Sequence, residues 1–428
     1  MHQFAFVLRR KMSSIIRYSL NRGSAWWSST ITRIRHFWSD EGPAGDCFWW
    51  LDVMMLQAGV RSLLTANWAH ERKIRVFCLS LFAYHVTVFY LQLVDALANK
   101  TDSSNFILAL VKAACLSVSF AKVVAIALLE KSIGTLRRFI TSDRVNSGSL
   151  DYDELEQKKF NRATRRAMLA VYGWIVGDTM LLSSQSPSVD ELLTLPSHLA
   201  QTGKYPSMFF KQLFNCTLAA SIIPVICGGV ACFGVILMGM RTKLKLLVHR
   251  FEGIKQVPGS NVEQDFERVN SQIRKSLLMH VEYMSHLQIL KGMIGKIFLM
   301  VHYFSVFAIG AMIYFVRQIG LNTLTATTGA AAFFFLLEYY LLCHLADSLQ
   351  DEAETIAYHI FEIGARMPYH PIYHPEYVQL RTTLMIVLII TRQRFTLNCM
   401  GLFVINTPTF GALINVAYSV VNFLVNMD

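Results

Sequence analysis

Hydrophobic residues in this chain fall into long blocks that are separated by polar and basic stretches. An α-helix needs about 20 mostly apolar residues to cross the hydrocarbon core of a bilayer, which is roughly 30 Å thick. Seven blocks approach that length, and the pattern therefore predicts an all-α membrane protein with seven transmembrane helices. In chain order, the predicted spans cover residues 74–97, 105–129, 167–182, 209–240, 296–316, 325–345 and 403–425.

Amphipathic stretches lie beside these spans. An apolar run at 384–390 is too short to cross a membrane. Residues 262–296 carry apolar side chains at helical spacing, so span five is predicted to begin as a long amphipathic helix below the membrane. Span four is predicted to continue downward through Phe251. Together with 352–363 and 380–390, these pieces predict a cytoplasmic layer of anchor helices whose apolar faces favour oligomerisation.

The basic residues predict the orientation of the spans, because cytoplasmic loops retain Lys and Arg. The segment before span one and the connectors between spans two and three and between four and five are rich in both. The alternate connectors hold only Lys100, Lys204 and Arg317. The N-terminus is therefore predicted to be cytoplasmic and the C-terminus extracellular. Asn99 begins an Asn-Lys-Thr sequon in a predicted outer loop and is a candidate glycosylation acceptor.

The spans and connectors divide the chain into six regions. They are a cytoplasmic N-terminal region at 1–73, spans one to four at 74–240, a cytoplasmic helical connector at 241–295, spans five and six at 296–345, cytoplasmic anchor helices at 346–398 and helix seven at 399–428.

Composition narrows the class of protein further. The chain is 53% hydrophobic and only 16% charged, below the roughly 25% charged residues of soluble domains. The net charge of +11 does not indicate nucleic-acid binding, because the basic residues lie between apolar blocks. The eight cysteines fall largely inside apolar blocks and imply no disulfide framework. We find no nucleophile-base pair, metal-ligand spacing or phosphate loop, so neither an enzyme nor a metal or cofactor is expected.

Three ordered motifs occur in the C-terminal third. They read ADSLQDEAETIA at 346–357, LMIVLIITRQRFTL at 384–397 and TFGALINVAYSVVNFLVNM at 409–427. In this order they resemble the insect odorant receptor family, in which acidic and Gln residues precede "IA", an apolar run precedes "raQkPltl", and the chain ends near "tF..il..sYSyftlLrnm". The resemblance implies the seven-helix insect odorant receptor channel fold.

The resemblance also implies partners and a role. The family contains a shared co-receptor with an enlarged connector between spans four and five, and many ligand-tuned subunits without it. This chain lacks the enlargement and so resembles a tuned subunit. Such a subunit is expected to form a heterotetramer with the co-receptor in the plasma membrane of olfactory sensory neurons. The assembly would be a non-selective cation channel, gated by a small volatile odorant, that requires no G protein.

Helix seven is the candidate pore helix. Val421, Leu424 and Val425 share one face with Ala417, so four copies around an axis could form a constriction that loses water when closed. We expect these three residues to form the gate. Asn422 offers hydration near the outer mouth, and the absence of an acidic ring in this helix favours weak cation selectivity. Packing against other helices is the alternative explanation.

A volatile odorant is small and apolar, so its site is expected to be an aromatic-rich cavity in the outer half of the bundle. Trp174 is the leading candidate, because an indole beside glycines can present a flat wall. Packing between helices is again the alternative for each residue. The full set is Phe106 and Leu110 of span two, Trp174 and Asp178 of span three, Phe209, Phe210 and Phe214 of span four, and Phe333, Phe334 and, deeper, Tyr339 of span six.

Two acidic residues lie within spans, where an ionisable group is by default a functional hypothesis. Asp178 either serves the odorant site or reaches the outer interface. Glu338 either meets a polar partner such as His302 or reaches water at the inner leaflet.

Three other classes of protein share some of these features. A gustatory receptor channel gated by a tastant has the same topology, but that family resembles "TYhhhhhQF" at the end of helix seven, whereas this chain reads AYSVVNFL at 417–424. A secondary transporter predicts inverted repeats, which are not seen in the sequence. A G-protein-coupled receptor has the opposite orientation.

Overall fold

The computed structural model describes residues 48–60, 68–98, 103–183, 195–201, 203–254, 262–319, 323–367, 369 and 371–426, apart from the side chains of some helical residues. The candidate acceptor Asn99 and most of the predicted N-terminal region lie outside the described residues. Within these ranges the chain is almost entirely helical. The helices are α1 (Trp49–Gln57), α2 (Trp68–Ala98), α3 (Ser103–Leu128), α4 (Glu130–Thr141), α5 (Leu150–Ser183), α6 (Ser197–Ala200), α7 (Lys204–Glu252), α8 (Val262–Ile319), α9 (Thr323–Arg366), α10 (His374–Arg394) and α11 (Thr407–Val425).

The three longest helices exceed the thickness of a membrane. Helices α7, α8 and α9 contain 49, 58 and 44 residues, which corresponds to about 65–90 Å at 1.5 Å per residue. Each must therefore project beyond a hydrocarbon core of about 30 Å. Among the described residues, the stretches Glu71–Ala98, Lys204–Glu252 and Phe266–Tyr314 are long and apolar enough to cross a membrane, and Ser119–Leu128 is a shorter apolar helix segment. These apolar helices fit a multi-pass membrane protein.

Helix α7 forms the centre of the bundle. It packs along α5 and α9 and also contacts α1, α3 and α8. Gly228 permits a close approach, because a Cβ there would lie 3.2 Å from Met55 Cε of α1. At Gly229 a Cβ would be in ordinary contact, 3.8 Å from Lys122 Cδ of α3. The short helix α1 lies in the N-terminal region, for which the sequence pattern predicted no helix.

The predicted amphipathic helix at 262–296 is confirmed as the first half of α8. Its inward side chains include Ile273 and Leu287, which are fully buried, whereas Val281 is exposed. The predicted continuation of span four is also confirmed, because α7 ends only after the buried Phe251. Helix α10 packs against α9, and a Cβ on Gly364, near the end of α9, would lie 3.8 Å from Leu384 Cδ1 of α10.

Span seven begins later than predicted. Residues Phe403–Val404 form a strand that pairs antiparallel with Asn398–Cys399, and the helix starts at Thr407. The start is fixed by Asn406, whose side-chain oxygen accepts a hydrogen bond from the backbone N–H of Thr409 at 3.0 Å. This is N-terminal capping. The hydrophobic pattern missed it because the apolar strand runs almost directly into the helix.

Candidate functional site

The leading candidate, Trp174, contacts another predicted site residue. Its ring centroid on α5 lies 5.5 Å from that of Phe334 on α9, at 54° between planes, and both side chains are half-buried. Aromatic pairs prefer such tilted arrangements. Phe334 in turn contacts Phe335, which packs edge-on against Phe304 of α8 at 5.6 Å. An aromatic wall therefore joins α5, α9 and α8.

Phe214 belongs to a different cluster. It is fully buried on α7 and is surrounded by three rings of α2, with centroid distances of 6.3 Å to Tyr84, 5.2 Å to His85 and 5.5 Å to Phe89. His85 also shares a 2.9 Å hydrogen bond with Ser221 of α7. This cluster packs α2 against α7.

The remaining outer candidates divide by exposure. Phe209 and Phe333 are 63% and 59% exposed, so these rings point out of the subunit. Phe106, Leu110 and Phe210 are half-buried. The side chain of Asp178 lies outside the described residues.

Tyr339 lies near the start of α11 rather than beside Trp174. It is fully buried, and its hydroxyl shares a 2.7 Å hydrogen bond with His302 of α8. Its ring centroid lies 6.3 Å from that of Phe410 in the second turn of α11. The His302 ring lies 4.7 Å from Phe403 in the preceding strand. Tyr339 thus packs three elements together at the base of helix seven.

Glu338 meets a polar partner, as one of its two alternatives predicted, but that partner is not His302. Its Oε1 accepts a hydrogen bond of 2.9 Å from Nζ of Lys122 on α3, and the two side chains are 1% and 2% exposed. The ammonium also lies 5.6 Å from the centroid of Phe335. Of the two alternatives for Glu338, the polar partner is confirmed, but the partner is Lys122 and not His302, whose Nδ1 shares a hydrogen bond with Tyr339 instead. The ion pair therefore joins α3 to α9 one turn after Phe334 of the aromatic wall.

Helix α11 presents two contrasting faces. Leu413, Ala417 and Val421 are buried, and Val421 is only 7% exposed within the single subunit. This side packs on α8, where a Cβ on Gly310 would come within 2.7 Å of Val420 Cγ1. The opposite, exposed side carries a polar stripe of Asn415, Ser419 and Asn422, flanked by the exposed rings of Tyr418 and Phe423. The side chains of Leu424 and Val425 lie outside the described residues.

A second ion pair, not identified from the sequence, joins α1 to α4. Arg137 donates two hydrogen bonds, of 2.6 and 2.8 Å, to the two carboxylate oxygens of Asp52. The guanidinium also lies 4.6 Å from the centroid of Phe48. Burial raises the pKa of Asp52, although Arg137 acts in the opposite direction. In the described part of the chain, no three His, Cys, Asp or Glu side chains cluster to hold a metal ion.

Comparisons with known proteins agree with this architecture. The 7tm odorant receptor family model matches residues 92–418. The chain is similar to the structure of the insect olfactory receptor OR5 from Machilis hrabei, with a TM-score of 0.67, 12% identity, and coverage of 88% of this chain and 97% of that one. The same receptor in complex with eugenol gives a TM-score of 0.69 at the same identity and coverage. None of the curated proteins compared with the chain matches it. Because the family model covers most of its length, the chain belongs to the 7tm odorant receptor family.

Proposed function

We propose that this chain is the odorant-sensing subunit of a ligand-gated, non-selective cation channel, and that it assembles with the shared odorant co-receptor into a heterotetramer. Family membership supports an odorant-sensing channel subunit. The observation that most supports a ligand site within this chain is the contact between Trp174 and Phe334, because two half-buried rings from different helices offer an apolar wall.

The proposed ligand is a small volatile compound with an aromatic or heterocyclic ring. Offset or tilted stacking on Trp174 and Phe334 would recognise such a ring. The half-buried side chains of Phe106, Leu110 and Phe210 are the proposed further lining. The similar Machilis hrabei receptor binds eugenol, which is itself a small aromatic molecule.

The proposed topology has seven spans, a cytoplasmic N-terminus and an extracellular C-terminus. The positive residues of alternate connectors support this orientation. The proposed location is the plasma membrane of olfactory sensory neurons. An epitope tag after Asp428 should be accessible on intact cells, and a tag before Met1 should not.

The proposed pore is lined by α11 from each subunit. In the structure its polar stripe of Asn415, Ser419 and Asn422 is exposed, and such a stripe in a membrane helix is stable only beside water or a polar partner. Val421 remains the proposed gate, with Leu424 and Val425. Successive helical residues are about 100° apart. A rotation of α11 by about 100° would therefore bring Val421 to the pore axis in place of Asn422.

The proposed contacts with the other subunits lie in the cytoplasmic layer. Several large apolar side chains there are exposed in the single chain, and burying them against a neighbouring subunit would stabilise the assembly. They are Leu278 of α8, Tyr358 and Phe361 of α9, and Ile386 and Ile389 of α10.

Odorant binding can open such a channel only if the odorant binds the open arrangement more tightly than the closed one, since equal affinity shifts no population. A displacement of α5 relative to α9 at the Trp174–Phe334 contact is the proposed source of that difference.

The test is electrical recording from cells that express the chain with and without a co-receptor, under a panel of volatile aromatic and heterocyclic compounds. We expect odorant-evoked cation current only with the co-receptor. Robust responses of the chain alone to tastants would instead favour the gustatory alternative.

Neighbouring phenylalanines provide a matched pair of variants. F334A removes the ring that contacts Trp174, whereas F333A removes an exposed ring one position away. F334A also removes the proposed contact between this ring and the odorant. Losing an aromatic contact worth about 1.4 kcal/mol should raise the odorant EC50 about tenfold. F333A should leave the EC50 unchanged. Equal effects of the two variants would argue against a site at Trp174.

A further inference from the structure

Asp347 of α9 contacts the first residue of α11. Its Oδ2 accepts a hydrogen bond of 2.8 Å from the backbone N–H of Thr407 and a second, shorter one from the Thr407 hydroxyl. The two residues are 60 positions apart in the sequence. A carboxylate is well placed there, because the first N–H groups of a helix lack intrahelical partners and the helix dipole favours negative charge at this end. One side chain of α9 thus caps the candidate pore helix.

Helix α9 contacts α11 at a second place, through aromatic rings. The ring centroids of Tyr340 and Tyr339 lie 5.4 and 6.3 Å from that of Phe410, one turn beyond Thr407. Further along, α11 packs instead on α8 through the close approach of Val420 to Gly310. The N-terminal end of α11 therefore packs against α9, and its later part packs against α8.

The same α9 carries the aromatic ring of the candidate odorant site. Phe334 and Asp347 lie on one uninterrupted helix, Thr323–Arg366, and the 13 positions between them correspond to about 20 Å along its axis. A shift or rotation of α9 caused by a ligand against Phe334 must therefore also move the carboxylate that holds Thr407.

We propose that Asp347 is a positioning residue for gating: through Thr407 it couples displacement of α9 to the first turn of α11. This inference rests on the proposed function, since it assumes that α11 lines a pore and that a ligand acts at Phe334. The coupling needs both partners, a carboxylate at 347 and donors at 407.

The test uses the full-length chain expressed with a co-receptor, with odorant EC50 and maximal current per surface receptor as readouts. D347N keeps the shape of the side chain but weakens the acceptor, and should raise the EC50 about fivefold or more. T407V removes the hydroxyl and keeps the backbone N–H, so a smaller shift in the same direction is expected. D347E keeps the carboxylate and should restore most of the response.

A double-mutant cycle and a matched control separate this role from simpler ones. D347N/T407V should shift the EC50 no further than D347N alone, because both changes break one contact. D351N removes a similar charge from the exposed Asp351, one turn later on α9, and should leave the EC50 unchanged. Equal shifts in D347N and D351N, additive effects in the double variant, or fewer surface receptors with an unchanged EC50 would each overturn the proposal.

Failure of this inference is distinguishable from failure of the proposed function. If the wild-type chain responds to odorants and D347N responds equally, only the role of Asp347 is refuted. If the wild-type chain gives no odorant-evoked current with any co-receptor, the proposed function fails, and the gating role of Asp347 is refuted with it.

Discussion

Removing one partner of the Lys122–Glu338 pair should strongly destabilise the receptor. The pair is 2.9 Å long, and its side chains are 2% and 1% exposed, so water cannot solvate the partner that remains. Removing one member of a buried ion pair costs about 3–5 kcal/mol, because it leaves an uncompensated buried charge. We therefore expect K122M and E338L each to lower the free energy of unfolding by about that amount, at least a hundredfold in the folded-to-unfolded ratio.

The double variant should be much more stable than the sum of the single variants predicts. K122M/E338L removes both buried charges of this pair, and the methionine stem can follow the path of the lysine stem beside Gly229. Replacing both members of a buried pair by apolar residues is often neutral or stabilising. The free carboxylate oxygen of Glu338, which has no hydrogen-bond partner among the described residues, makes this outcome more favourable still.

The assay is thermal unfolding of the purified receptor, followed by the loss of its monodisperse peak in size-exclusion chromatography. R144M is the control, because the Arg144–Glu282 pair is similar in length at 3.1 Å but is 71% and 30% exposed, and exposed pairs contribute about 0–1 kcal/mol. Single Lys122 and Glu338 variants that melt like R144M, or a double variant that loses the sum of both, would refute the reasoning.

Three further substitutions test close contacts elsewhere. G310A places a methyl group within 2.7 Å of Val420, so overpacking should cost about 1–3 kcal/mol and change the basal current; wild-type melting and current would contradict this. G295A places a methyl group 2.9 Å from the backbone carbonyl oxygen of Asn398, in the hairpin before α11. Because that carbonyl cannot rotate away, G295A should lower the melting temperature by a similar amount, and an unchanged melting temperature would count against the contact. R137M leaves Asp52 buried without its bidentate partner and should lower the free energy of unfolding by about 3 kcal/mol. Adding D52N to R137M should restore most of that stability. If it does not, the two residues do not act as a pair.

Local patterns in the sequence predicted the long helices, but not the short α1. Hydrophobic periodicity depends on neighbouring residues, so the amphipathic start of α8 and the extension of α7 to Phe251 could be predicted. The start of α11 could not, because a two-residue strand at Phe403 has no period to detect. The family could be identified because its motifs are contiguous.

Pairings between distant residues could not be predicted from one sequence. Glu338 was recognised as unusual, but its partner Lys122 is 216 positions away. Nothing in the sequence around Lys122 marks it as a better partner for Glu338 than His302. Which face of α11 packs inside the subunit could not be predicted from the sequence either. Periodicity grouped Val421 with Ala417, but only the packing of α11 on α8 shows that this group is buried within the subunit.

Recording from excised inside-out patches without GTP tests the central claim most directly. The patches should come from cells that express this chain with a co-receptor and should be exposed to a volatile aromatic panel. If the chain is a subunit of an odorant-gated channel, odorant evokes a cation current within such a patch, and F334A requires a higher odorant concentration than F333A. Current that appears only when GTP and cytosol are restored, or that is unaffected by omitting this chain, would contradict the account.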